Sequence, residues 1–185
     1  MISYRNIRLF SILILVVFAD GNIAAQRTRS QSGIRWYTIQ EADKLLKENP
    51  RPLFIDTYTD WCGWCKKMES ETFSNSVIAN ILNSKFYPVR FNAEQKDSVR
   101  FLGHTFINDG KYGKTHQLAV ALLQGHLAYP TVVFLTEENG KYSVSPVPGF
   151  RQADEMEVLL SFFADNNYKD HTFEDFQKNF KGKVK

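Results

Sequence analysis

The chain has 185 residues, 43% of them apolar, 14% aromatic and 23% charged, a balance that describes a folding globular chain and excludes a disordered or fibrous one. A formal net charge of +3, with the basic residues dispersed, gives no reason to expect nucleic acid as a partner. The length allows one domain with a sizeable core, and no linker composition divides it in two.

At the N-terminus Arg5 and Arg8 precede an apolar run over residues 9–19, which Asp20, Gly21 and Asn22 break before the small residues Ala24 and Ala25. That is the three-part layout of a secretory signal peptide over residues 1–25. The run is about half the ~20 residues of a membrane span, so the expected location is periplasmic or secreted. The alternative is an uncleaved segment anchoring the chain in the inner membrane and facing the periplasm, because Ile23 stands where a cleavage site usually has a smaller residue. Residues 26–33 then read as a flexible leader.

From residue 34 the pattern alternates. Residues 34–38 read as a short strand, and residues 40–48 as a helix with Ala42, Leu45 and Leu46 at helical spacing, stopped by Asn49 and Pro50. A continuous β-prone run over residues 53–58 predicts a buried central strand. Helices follow over residues 62–72 and 76–82, then a strand over 86–91. Residues 131–136 predict a third buried strand, joined by the turn Glu138-Asn139-Gly140 to a strand over 142–147. Met156, Leu159, Leu160 and Phe163 share one side of a last domain helix over 154–164. Such alternation argues for an α/β domain over residues 34–167, a mixed central β-sheet flanked by helices.

Two stretches exceed that plan. Within an inserted segment over about 95–117, Asn108-Asp109-Gly110 reads as a hairpin turn between strands at 99–107 and 111–114. A helix over 116–123, ending at Gly125, completes this hairpin-plus-helix insertion. Residues 168–185 read as a C-terminal helical extension and basic tail: Thr172 caps an extra helix whose Phe173, Phe176 and Phe180 pack on the domain, while Lys181, Lys183 and Lys185 stay solvated.

The chain holds two cysteines, Cys62 and Cys65, in Cys-x-x-Cys spacing. A pair this close makes a poor staple for a domain of this size, which favours a chemical role. Half a zinc site has the same spacing, but no second cysteine pair exists, and His104, His116, His126 and His171 show no paired ligand spacing. Neither a metal nor another cofactor is expected. A cysteine where a helix begins sits beside free backbone N–H groups and the positive end of the dipole, which favour its thiolate, while a second one turn deeper can attack a mixed disulfide formed at the first. Gly63 permits close backbone approach, and Trp61 and Trp64 would wall the site.

The run Leu53-Phe-Ile-Asp-Thr-Tyr-Thr-Asp-Trp-Cys-Gly-Trp-Cys-Lys-Lys-Met68 resembles the active-site strand and helix of thioredoxins. More closely it is similar to the C-terminal periplasmic domain of the transmembrane reductase DsbD, together with Glu71-Thr72-Phe73-Ser74, Tyr129-Pro130-Thr131 and Gly149-Phe150. The segment from Gly113 to Leu123 resembles secreted thioredoxin-like proteins of Bacteroidetes-type bacteria. The resemblance implies a thioredoxin fold, with Cys62 as nucleophile and Cys65 as resolving cysteine of a redox-active disulfide. Asp56, six positions before Cys62, takes the part of the buried acid that mediates proton transfer with the resolving thiol. Burial would raise its pKa toward a useful range. Arg90 falls where thioredoxins often carry a lysine near that acid. Pro130 matches the cis-proline facing the cysteines, leaving the backbone of Tyr129 open to pair with a substrate. Trp64 between the cysteines and Tyr129 before the proline depart from the family's usual residues.

The function expected is an extracytoplasmic thiol–disulfide oxidoreductase that reduces disulfide-containing protein substrates and draws electrons from an upstream membrane donor. A disulfide oxidase or isomerase using the same site is one alternative, and a thioredoxin-fold binding module without turnover is another.

Overall fold

The run Leu53–Tyr58 forms β1, an inner strand buried along almost its whole length. The structure, a computed structural model, describes residues 33–184. The expected signal peptide, the leader up to residue 32 and Lys185 lie outside the described residues. In chain order the elements are α1 (Ile39–Glu48), β1, α2 (Gly63–Glu71), α3 (Ser76–Lys85), β2 (Tyr87–Asn92), β3 (Val99–Phe101), β4 (His104–Phe106), α4 (Gln117–Leu122), β5 (Thr131–Glu138), β6 (Lys141–Pro148), α5 (Ala153–Ala164) and α6 (Phe173–Asn179).

The main sheet runs β2-β1-β5-β6. β1 lies parallel to β2, with Asp56 opposite Arg90, and antiparallel to β5, with Asp56 opposite Val132. Strand alternation sends Leu53 and Ile55 to one face, where α1, α4 and β3 cover them through Ala42, Leu118 and Val99. Phe54 and Asp56 point to the other face, and Phe54 meets Met68 of α2, Ile78 and Leu82 of α3 and Leu160 of α5. The result is a mixed sheet with helices on both faces, as the alternation predicts. Local signals agree with it: Thr38 and Glu41 form a reciprocal capping box at the start of α1, a device worth about 1 kcal/mol.

The expected strand over 34–38 is reduced to a single bridge, Tyr37 to Val89, with the Tyr37 N–H donating to Pro88 O at 2.8 Å. The cause lies in Pro88. Tyr87 donates its N–H toward β1, to Pro52 O, so Pro88 faces the outer edge of β2, where it has no N–H to give. Asn83 of α3 instead holds the neighbouring backbone, accepting from Arg35 N and donating to Gly33 O.

The insertion contains a hairpin, but its turn is not at residues 108–110. Leu102 and Gly103 turn β3 into β4 with φ of 49° and 82°, the conformation that Asn139 and Gly140 adopt between β5 and β6. Asn108 folds a loop instead, its amide donating to Gln95 O at 2.9 Å and Lys114 O at 2.8 Å. The stretch expected as a second strand over 111–114 is therefore loop.

At the C-terminus Thr172 caps α6 as expected, and Phe173 and Phe176 both pack on Phe162, 5.4 Å between ring centres. Lys181 and Lys183 are exposed, as expected, but the backbone of the tail is tethered. The buried carboxylate of Glu157 accepts the N–H groups of Lys183 and Val184 at 2.8–2.9 Å, and Val184 packs on the core beneath α5.

Candidate active site

β1 delivers the chain into a tight turn in which the Cys62 N–H donates to Thr59 O, and α2 then starts. Cys62 is the N-cap of α2, with its sulfur accepting the Cys65 N–H at 3.1 Å. No acidic residue occupies the first turn to oppose the positive end of the helix. Cys62 and Cys65 are joined as a disulfide, and each is only 4% exposed. A Cβ on Gly63 would meet nothing within 4 Å, so no close approach inside the folded chain requires this glycine.

Asp56 is 2% exposed, on the sheet face that α2 covers. Its Oδ1 has no hydrogen-bond partner, and its Oδ2 lies 3.4 Å from Arg90 Nε. Its pKa is raised to about 7, chiefly by burial, with Arg90 pulling against the rise and Glu69 adding to it. Arg90, directly across the β1–β2 ladder, gives its two Nη atoms to Glu69 of α2, at 2.7 and 3.2 Å. Its guanidinium also lies over the Tyr58 ring, 4.6 Å from the ring centre. The acid thus keeps one loose contact with a cation whose better bonds go elsewhere.

Two aromatic pairs flank the recessed sulfurs. Trp61, 65% exposed, meets the edge of Tyr129 at 6.0 Å, and Trp64, 58% exposed, tilts against Phe150 at 5.6 Å. The Tyr129–Pro130 peptide is cis. The β5–β6 pairing begins at Thr131, and among the described residues no backbone hydrogen bond engages the N–H or C=O of Tyr129. The Tyr129 hydroxyl is buried and has no partner.

The expected residues therefore gather at one end of the sheet: Cys62, Cys65 and the acid Asp56 on β1 and α2, and Trp61 against Tyr129 of the Pro130 loop. Glu69 was not anticipated. Its signal was present, since it lies four residues after Cys65 and so on the same face of α2.

Residues 24–164 match the family Thioredox_DsbH, described as a protein of unknown function, DUF255. The chain belongs to this family. Among relatives of this Thioredox_DsbH chain, an uncharacterized protein of Caenorhabditis elegans is 32% identical over 132 residues, 70% of this chain and 16% of that protein. The thiol:disulfide interchange protein DsbD of Pectobacterium atrosepticum is 27% identical over 148 residues, covering 80% of this chain and 22% of DsbD. The chain thus spans less than a quarter of the length of these curated relatives. A thioredoxin from Thermus thermophilus superposes with a TM-score of 0.55 at 18% identity, covering 76% of this chain and 98% of that one. The Thioredox_DsbH chain has the thioredoxin fold, here with a Cys62–Cys65 pair in Cys-x-x-Cys spacing.

Proposed function

We propose that this chain is an extracytoplasmic thiol–disulfide oxidoreductase that reduces protein disulfides. The observation that carries the reading is a cysteine pair at the start of α2 with a buried carboxylate, Asp56, on the sheet face beneath that helix, one of its oxygens without a hydrogen-bond partner. In the dithiol state the Cys65 N–H aimed at Cys62 Sγ stabilises that sulfur as a thiolate. The thiolate attacks one sulfur of a substrate disulfide; a Cys62–substrate bond forms and the other substrate sulfur leaves as thiolate. Asp56, near pH 7 in its working range, takes the proton of Cys65. The Cys65 sulfur then attacks Cys62, closing the disulfide and releasing the second substrate thiolate. Two electrons pass to the substrate, and an external dithiol must return them.

The signal-peptide pattern over residues 1–25 supports a place outside the cytoplasm. The DsbD relative, by its name a thiol:disulfide interchange protein, supports thiol–disulfide redox partners in general; protein disulfides as substrates and an upstream membrane donor are part of the proposal. Two measurements test the reading. Mature protein supplied with a dithiol should reduce an insulin-like disulfide, and the Cys62–Cys65 potential should lie near ~−270 mV. A potential near ~−120 mV would reverse the direction to that of an oxidant, and absence of turnover would leave a binding module. A Cys65→Ser variant should accumulate the mixed disulfide and so capture the substrates.

A further inference from the structure

The two aromatic walls differ in charge. Trp61 and Tyr129 have acids beside them: Asp60 adjoins Trp61 and is bonded by Asn92, and the charge of Glu94 acts on the Tyr129 phenol. The Trp64 wall has cations. Lys67 Nζ lies 5.1 Å from the Trp64 ring centre and 5.3 Å from that of Phe150, so one ammonium spans both rings. Arg151, next in the chain, donates from Nη1 to Phe150 O at 2.9 Å. Among the described residues Arg151 has no carboxylate within 4 Å, and Lys67 has only Glu71, at 3.9 Å.

An exposed indole tilted against a phenylalanine is an apolar surface that folding has left unused, and it adjoins sulfurs that are themselves recessed. Trp61 directly precedes Cys62 and Trp64 lies two residues after it, so residues next to a cystine that meets Cys62 come within reach of the two walls. On the basic wall the complementary neighbour carries a carboxylate for Lys67 or Arg151 and an apolar ring for Trp64. On the acidic wall the same carboxylate would be repelled.

Resting on the oxidoreductase reading, we propose that the plate formed by Trp64, Phe150 and Lys67, with Arg151 at its rim, is a docking subsite for an acidic, aromatic-bearing segment beside the substrate's cystine. The plate both selects this class of disulfide and fixes the direction in which the segment crosses the site, since only one wall accepts the acid.

The test uses the full chain with a dithiol supplied and three disulfide-linked peptides. Their cysteine is flanked by Glu-Phe, Lys-Phe or Glu-Ala, on the N-terminal side in one set and on the C-terminal side in another. In one of the two placements, kcat/KM for Glu-Phe should exceed that for Lys-Phe about tenfold, the size of one or two exposed charge contacts. Glu-Ala should fall between them, and 0.5 M salt should shrink the charge preference to about twofold. Lys67→Glu should reverse the order of Glu-Phe and Lys-Phe. Equal turnover of all three peptides by the wild-type chain in both placements would overturn the subsite. Hydroxyethyl disulfide, too small to reach the plate, separates the two failures. If it is reduced while the peptides are not distinguished, the oxidoreductase reading stands and the subsite falls; if it is not reduced, both fall.

Discussion

Arg90 stands directly opposite Asp56 in the β1–β2 ladder, but its two terminal nitrogens are committed to Glu69 on α2, leaving only Nε, 3.4 Å away, for the acid. A full bidentate pair with Asp56 would hold the carboxylate ionised at all working pH values. Division of the guanidinium between two acids, together with burial, instead leaves Asp56 titrating near 7. An acid–base group with that proton affinity can both take and return a proton during thiol exchange.

Asp56 holds its proton more tightly in the folded chain than in the unfolded one. Its contribution to stability is therefore complete below the ordinary carboxylate pKa of ~3.9 and is lost as pH rises through about 7. Asp56→Asn should be more stable than the wild type at pH 8, by on the order of 3 kcal/mol, with no such advantage at pH 3.5. Urea unfolding at the two pH values checks it, and an advantage that does not change with pH would contradict the buried acid. Disulfide reduction at pH 7 should fall at least ~10-fold in the same variant, as the proton acceptor is gone.

Glu69 acts on Asp56 through its own charge and through its hold on Arg90. Glu69→Gln should lower the Asp56 midpoint below about 7, because a repelling charge disappears and Arg90 is freed to turn to Asp56. Arg90→Leu should move the midpoint the other way. Carboxyl-carbon NMR titration of Asp56 reads both, and shifts of the same sign would show that the two residues act only by disturbing the fold.

Tyr129 supports Trp61 by its ring rather than its hydroxyl, which is buried without a partner. Tyr129→Phe should therefore leave stability unchanged or raise it by up to about 1 kcal/mol. Tyr129→Ala should cost roughly 1–3 kcal/mol and free the Trp61 indole, seen as loss of chemical-shift dispersion of its Nε1–H. A Phe variant as damaged as the Ala variant would mean the hydroxyl has a role.

The parts of this fold legible in the sequence are those whose signal is local. Leu53–Tyr58 is a β-prone run with turn residues at both ends, and Asn139-Gly140 occupies a turn that needs two positive φ angles. The hairpin at Leu102-Gly103 uses the same backbone with a leucine in the left-handed region, which no local preference announces, while Asn108-Asp109-Gly110 carries the usual turn residues in a loop. Pro88 shows the limit for strands, because which edge it faces depends on the pairing of β2 with β1. The cysteine pair was readable from its spacing after a strand, and Asp56 from the resemblance of that stretch to thioredoxins. The Glu69–Arg90 fork was not, since it joins two residues brought together only when α2 lies across β2.

One side chain bonds the backbone at the end of the C-terminal segment. Glu157, 3% exposed on α5, accepts the N–H groups of Lys183 and Val184, and a Cβ on Gly182 would stand 2.7 Å from its Oε2. That oxygen is fixed by the two N–H groups and by burial, so it cannot easily give way. Glu157→Ala should release the tail: amide exchange at Lys183 and Val184 should approach the rate of an unstructured chain, with a loss of roughly 1–2 kcal/mol. Gly182→Ala should release it by displacing the carboxylate, at about 1 kcal/mol. Since both changes break the same contact, the double variant should be little worse than Glu157→Ala alone. Full additivity, or unchanged exchange in Glu157→Ala, would mean that the tail is held by the packing of Val184 and not by the carboxylate.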